Sequence, residues 1–216
     1  MADLETEAYC DTKSHSRAHV PPAVVTGLTS ATMIATTRGW YPAGDLLPGD
    51  QVLSFDHGLQ PIADLGWDRV AVRTTPMHMI HIPANSLGNA QSLHVTQDQA
   101  ILIESDIAQD VFDDPFVALR AADLVGYRDI ARVPCRQAVE LVTLYFRNPQ
   151  MIYAQGGILV HCPRLGTDAD TANQPGASSY EILNTTQASM LMSAMQNDGW
   201  VLGPRSPDIR GCLQVV

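Results

Sequence analysis

The sequence predicts a mostly-β protein with a sandwich or barrel-like core. Short runs rich in β-branched and other apolar residues recur between turn signals, and none carries a helical period longer than a few residues. These runs cover residues 33–36, 51–55, 69–73, 78–82, 100–103, 130–133, 139–146, 151–154 and 157–160. Short strands at such regular spacing are typical of an all-β domain.

Tight turns separate the runs. Gly39 and Gly58 each end a short connection between apolar segments, where glycine adopts a positive φ without steric cost. Pro48 and Gly49 close a short apolar turn that leads directly into the strand expected at 51–55. These positions predict hairpin-like connections between successive strands.

Composition divides the chain into four parts. Residues 1–22 are polar, mixed in charge and end in two prolines, which predicts a flexible tail. A β domain is expected over 23–163, followed by a polar linker with Pro and Gly over 164–178. Residues 179–216 are expected to form a helix and a C-terminal segment that packs back on the domain.

The expected helix has a start signal, an apolar face and a stop signal. Ser178 and Glu181 have the spacing of a capping box, and Gly199 follows the last periodic residues. The apolar face consists of Ile182, Leu183, Ala188, Leu191, Met192 and Met195.

Residues 104–129 carry seven acidic residues against two arginines, half of the net charge of −10. This stretch predicts a solvated insertion between strands, with one short helical segment over 116–125. Its acids could attract calcium, as could those of 168–170, but neither stretch has the residue order of an EF-hand. No metal site is therefore predicted.

The overall charge and hydropathy exclude several classes of function. The 216 residues contain 13 Lys+Arg and 23 Asp+Glu with no basic run, which argues against nucleic acids and anionic membrane surfaces as partners. No apolar stretch is long enough for a membrane helix, and the acidic N-terminus is unlike a signal peptide. We expect a protein that is cytoplasmic or exported without a cleaved signal, with four reduced, widely spaced cysteines.

Several motifs together resemble a known domain. They are G-L-T-S-A-T-M-I-A-T at 27–36, D-L-L-P-G-D-Q-V-L at 45–53, D-H-G-L-Q-P-I at 56–62 and H-V-T-Q-D-Q-A-I-L at 94–102. The pattern resembles a Hint (Hedgehog/intein) domain of the Hint_2 type common in α-proteobacterial proteins, over roughly residues 24–213. The resemblance implies an all-β, horseshoe-like fold with a short helical appendage at the C-terminal end.

The resemblance also implies self-processing chemistry. In the family, a Cys or Ser at the first position attacks the preceding carbonyl, and a Thr-x-x-His element polarises the scissile amide. Here the first position is Gly27, which has no side chain, and the Thr is retained as Thr96. The His position holds Gln99, which cannot carry a proton between groups near neutral pH.

A later stretch departs from the pattern in the same direction. Where relatives read F-D-R-H-E-x-x-F-A-E-G, residues 146–156 read F-R-N-P-Q-M-I-Y-A-Q-G. The His position has become Pro149, and the two acid positions have become Gln150 and Gln155. The sequence therefore predicts a degenerate site and a non-catalytic binding or structural module with a protein or peptide partner, without cofactor.

The alternative is residual autoproteolysis by a displaced hydroxyl. Thr26, Thr29 and Ser30 lie near the first position, and each would need an adjacent base. His94 and Asp98 share strand parity with the retained threonine and are the surviving acid-base candidates. A hydrogen-bonded structural role is the competing interpretation of His94.

The remaining histidines give no clear site. His57 is expected to face solvent in a turn, while His78 and His81 have opposite strand parity and cannot share a metal ion. His161 with Cys162 and a distant Cys135 could contribute to zinc binding only if the strands met, and neighbouring strand residues point to opposite faces.

Overall fold

The computed structural model describes residues 26–70, 77–166 and 182–197, and within them the chain is mostly β, as predicted. The strands are β1 Leu28–Thr29, β2 Met33–Thr36, β3 Gly39–Pro42, β4 Gln51–Ser54, β5 Gly58–Pro61, β6 Asp64–Val70, β7 His78–Ile82, β8 Leu93–Val95, β9 Ala100–Glu104, β10 Phe116–Arg120, β11 Ala131–Pro134, β12 Val139–Tyr145, β13 Gln150–Ala154 and β14 Ile158–Cys162. The α-helices are α1 Asp106–Phe112 and α2 Thr185–Asn197.

The strands form two antiparallel sheets. One has six strands in the order β11-β7-β8-β1-β12-β6. The other has eight, in the order β10-β9-β14-β13-β2-β4-β5, with β3 paired to β2. The described part of the chain therefore begins in the middle of one sheet at β1 and passes directly to the other sheet at β2.

A single large apolar core joins the two sheets and α2. Val95 and Val142 enter it from the six-stranded sheet, Ile34 and Ile152 from the eight-stranded sheet, and Leu191 from the helix, all fully or almost fully buried. Burial of this apolar surface is the main favourable contribution to folding. The segment around Gly27 is thus attached, through Leu28, to the large core.

Part of the acidic stretch is a strand, and the prediction of a helical segment over 116–125 is wrong at residues 116–120, which form β10. β10 pairs with β9 along its whole length, and a 3-10 turn follows at Ala121–Leu124. Val117 and Leu119 enter the large core, while Ala118 enters a second, smaller cluster on the opposite face. A strand covered on both faces has a continuous apolar run, which mimics a buried helix. The acids lie in the surrounding turns and in α1.

The C-terminal helix begins later than predicted. Ile182 forms a parallel bridge with Ala118, so the chain is extended there. Asn184 caps α2: its Oδ1 accepts hydrogen bonds from the backbone N–H groups of Thr186 and Gln187, both at 3.0 Å. The Gln187 side chain accepts in return from the Asn184 N–H at 3.0 Å. This is a capping box three residues beyond Glu181.

The apolar face predicted for this helix is buried, apart from half-buried Ile182, but Ile182 and Leu183 lie before the helix begins. Other predictions lie outside the described residues: the tail at 1–22, strand residues 71–73, most of the linker, Ser178 with Glu181, the acids of 168–170 and the segment after 197. α2 has 13 residues, and no helix in the described ranges is long and apolar enough to cross a membrane.

Two glycines with positive φ differ in the space around them, and their substitution tests how closely the chain packs at Gly156. Gly126 has a φ of +95° with open space where a Cβ would lie, whereas a Cβ on Gly156, with a φ of +75°, would lie 2.7 Å from the backbone nitrogen of Gln91. We expect Gly126→Ala to cost about 1 kcal/mol from φ alone. Gly156→Ala should cost at least about 2 kcal/mol more, because backbone must move. Urea unfolding measures both, and equal losses would contradict the packing described for Gly156.

Candidate functional site

Strand β1 lies between two cavities. A small inner cavity of about 10 Å³ is lined by Thr26, Gly27, Gln99, His161 and others. An outer cleft of about 650 Å³ lies on the side of Thr29. Successive strand residues point to opposite faces, so β1 sends Leu28 to the inner side and Thr29 to the outer side.

Gly27 is held in a conformation that suits glycine. Its φ is +143°, and a Cβ there would lie 3.2 Å from Thr143 Oγ1 and 3.3 Å from the carbonyl oxygen of Val142. The position predicted for the nucleophile therefore lacks a side chain and is also poorly shaped to accept one.

Two threonine hydroxyls bind the backbone at this position. Thr143 Oγ1 donates to the carbonyl oxygen of Thr26 at 3.2 Å, and buried Thr96 Oγ1 donates to that of Gly27 at 3.4 Å. The structure thus brings Thr96 to Gly27 across 69 residues of sequence. Donors at these carbonyls polarise them, which is one of the elements of acyl-transfer chemistry.

Gln99 is buried against the inner cavity, but its amide is directed to backbone carbonyls. Its Nε2 donates to the carbonyl of His161 at 2.8 Å and to that of Ala100 at 3.2 Å. Both bonds satisfy a buried polar group, which would otherwise be costly. Neither bond reaches the peptide between Thr26 and Gly27, so Gln99 stabilises β9 and β14 rather than that peptide.

His161, which the sequence suggested only as a possible zinc ligand, is the site residue whose place beside Gly27 sequence reasoning missed. It lies on β14, lines the inner cavity with Gly27, and its Nε2 has no hydrogen-bond partner among the described residues. Burial lowers its pKa to about 4, so the ring is neutral at neutral pH. The available signal in the sequence was a single histidine within a strand whose other residues are all apolar. Burial of a polar ring without a partner is costly, so such a histidine indicates a special position.

The two described cysteines are poor nucleophiles. Burial raises the pKa of the fully buried Cys162 thiol far above its usual range, and it also raises the pKa of Cys135. The thiolate is the reactive form, so both shifts reduce reactivity. Cys162 lines the inner cavity and Cys135 the outer cleft. Within the described ranges, no group of three or more His, Cys, Asp or Glu side chains could hold a metal ion.

The residual candidates fall on both sides of β1. Thr26 and Asp98 line the inner cavity, whereas Thr29, Ser30 and His94 line the outer cleft. Burial and, secondarily, the nearby His81 lower the pKa of His94, which keeps its ring neutral. In the described part of the chain no hydrogen bond joins His94 to the hydroxyl of Thr29 or of Ser30. Thr29 Oγ1 instead forms a hydrogen bond with Thr32 Oγ1 at 2.8 Å.

The late-strand positions are not gathered at Gly27. Gln150 Oε1 lies 3.0 Å from Nδ1 of His57, which is exposed in its turn as expected. Gln155 lines the outer cleft and donates to the carbonyl of Ser92 at 2.9 Å. Pro149 is half-buried before β13 and lines neither cavity. Of the predicted degenerate positions, Gly27, Thr96 and Gln99 therefore form one locality.

One family model matches the chain. The Hint_2 family model, which describes the Hint domain, matches residues 26–159, more than half of the chain. No curated protein matches.

Solved structures also match. The bacterial intein-like domain from Clostridium thermocellum is 14% identical with a TM-score of 0.47, and the match covers 63% of this chain and 99% of that one. A splice-inactive variant of the AceL NrdHF class 3 split intein is 11% identical with a TM-score of 0.46, covering 64% and 97%. A DnaB intein from Synechocystis sp. PCC 6803 is 12% identical with a TM-score of 0.43, covering 64% and 99%.

Buried His161 predicts a pH-dependent loss of stability. Its pKa is about 4 when folded and near 6.5 when unfolded, so the unfolded chain binds the extra proton between these values. Stability is therefore highest above about pH 6.5 and falls towards pH 4, by about 3 kcal/mol for this group. Urea unfolding between about pH 7 and 4.5 should show a smaller loss for His161→Leu than for the wild type. Equal losses in both proteins would show that His161 is not held neutral by the fold.

Proposed function

Because the chain belongs to the Hint-domain family, which its match over residues 26–159 shows, we propose that it is a member without self-cleavage activity that acts as a binding or structural module. The observation that carries this proposal is Gly27, buried at the first position with a φ of +143°. A residue without a side chain offers no atom that could attack the carbonyl of Thr26.

The surroundings of Gly27 support the proposal. Self-cleavage would require a nucleophile, a polarised carbonyl and a group that gives a proton to the leaving amide nitrogen. Thr143 still donates to the carbonyl of Thr26, so the polarising contact is present. Gln99 cannot exchange protons, and its amide is engaged by backbone carbonyls. Of the three requirements, the described residues at Gly27 supply the polarised carbonyl alone.

A binding role is supported by the outer cleft. Its volume of about 650 Å³ lies in the range of ligand-binding pockets. Its lining combines apolar Met79 and Val133 with the charged residues Arg136 and Glu140. Such a mixed surface suits an extended peptide or a loop of a partner protein, whose backbone and side chains need both kinds of contact.

The competing function is autoproteolysis by a hydroxyl. What favours it is that Thr29 and Ser30 share the outer cleft with His94, whose lowered pKa keeps the ring neutral and so able to accept a proton. Against it, Thr29 Oγ1 is bonded to Thr32, and Ser30 is tied by its N–H to the carbonyl of Glu140 at 3.0 Å.

The two functions predict different masses. We expect the purified chain to keep its mass of 23.4 kDa, both on storage and after incubation with a thiol or hydroxylamine, because no acyl intermediate forms. Intact-mass spectrometry measures this directly. A pair of fragments cut near residues 25–30 would overturn the non-catalytic proposal and support the hydroxyl mechanism.

Restoring the nucleophile alone should not restore cleavage. In Gly27→Cys the new side chain would be strained at this φ and would face Thr143 Oγ1 and the Val142 carbonyl, and Gln99 still could not transfer protons. We expect no cleaved fraction in the intact-mass assay.

Gly27→Ala is the control for strain, with an expected loss of about 1–3 kcal/mol in urea unfolding. If Gly27→Cys cleaves efficiently with thiol, the claim that the site is degraded at more than one position is wrong.

A further inference from the structure

Two histidines lie side by side away from Gly27. His81 on β7 and His94 on β8 are directly opposite each other in the antiparallel pairing. Their rings stack with centroids 4.7 Å apart and planes inclined by 30°. A pattern within β7 alone cannot identify His94, because the partner of His81 lies on another strand.

The nitrogens of this pair are not used by the fold. Within the described residues, neither imidazole forms a hydrogen bond to a protein group. His94 is exposed and His81 half-buried, so the pair is accessible from solvent. The neutral imidazole is the form that binds metals.

We propose that His81 and His94 form a two-histidine site for a divalent transition-metal ion of the zinc, copper or nickel type. Imidazole is a preferred ligand of these ions, with metal–nitrogen distances near 2.0–2.1 Å for zinc. Opposite residues of an antiparallel pair have Cβ atoms only about 4.5–5.5 Å apart. Side-chain rotations out of the stacked arrangement can therefore bring one nitrogen from each ring to a common ion, while the paired backbone stays fixed.

The location gives the site an open side. His94 also lines the outer cleft, so an ion held by the pair lies at the margin of that cleft. Among the described side chains no third His, Cys, Asp or Glu completes the set. The remaining coordination positions are left to water or to an oxygen or nitrogen donor of a molecule in the cleft. The proposal is independent of the state of Gly27, which lies on the inner side of β1.

The test compares three variants of the full chain by isothermal titration with ZnCl2 and, separately, CuCl2 at neutral pH. We expect His81→Gln and His94→Gln each to weaken one binding event at least about tenfold, since either loss leaves a single ligand. His78→Gln, on the same strand as His81 but with opposite parity, is the matched control and should bind like the wild type. Equal affinity in all four proteins, or an equal loss in His78→Gln, would overturn the proposal.

Ring NMR makes the test independent of any variant. The chain has seven histidines. His15 and His19 lie, with Cys10, in the N-terminal part that the structure does not describe, and His57 lies in its turn. With one equivalent of Zn²⁺, the side-chain ¹⁵N signals of His81 and His94 should shift together. Shifts confined to other histidines, or no shift at all, would show that the stacked pair is not a metal site.

Discussion

The insertion of a two-residue strand, β1, between β8 and β12 is the constraint on which the rest of the site depends. Leu28 pairs with Val95 on one side and Val142 on the other, and its side chain is 2% exposed. Anchoring by a buried leucine and two neighbouring strands fixes the backbone just before it, where Gly27 lies. The same strand separates the inner cavity from the outer cleft. Two chemical environments thus arise from one short segment of chain.

The polar residues at the inner cavity are held by hydrogen bonds to the backbone. Thr96 and Gln99 are buried, and both hydroxyl and amide are satisfied by backbone carbonyls. A buried polar group with partners stabilises the strands that it joins, so it is kept in place whether or not it does chemistry. His161 differs because its Nε2 lacks such a partner among the described residues. It is the one ring at this locality whose place in the fold carries an energetic cost.

Local patterns predicted most strands because turns with glycine or proline bound short β-branched runs, as at 33–36 and 151–154. They failed at β10, which is buried on both faces: Val117 and Leu119 enter the large core and Ala118 the smaller cluster. The strand therefore lacks the alternation of apolar and polar residues that marks a half-buried strand. The start of α2 was misplaced because Ser178 and Asn184 both offer a cap, and only contact with β10 decides between them. At the site, the family pattern placed Gly27, Thr96 and Gln99 together. The proximity of His161, and of His81 to His94, depends on which strands become neighbours, and no local pattern contains that information.

The backbone angle at Gly27 also bears on the history of such a domain. A φ of +143° is open to glycine and strained for a residue with a Cβ. Once a glycine has let the chain relax into this angle, a single codon change back to cysteine returns a side chain to a backbone that no longer suits it. Reversal would need the backbone and its neighbours to change first, without any catalytic gain from that step. If the proposed function holds, this one dihedral angle makes the loss of self-cleavage easier than its recovery by a single substitution.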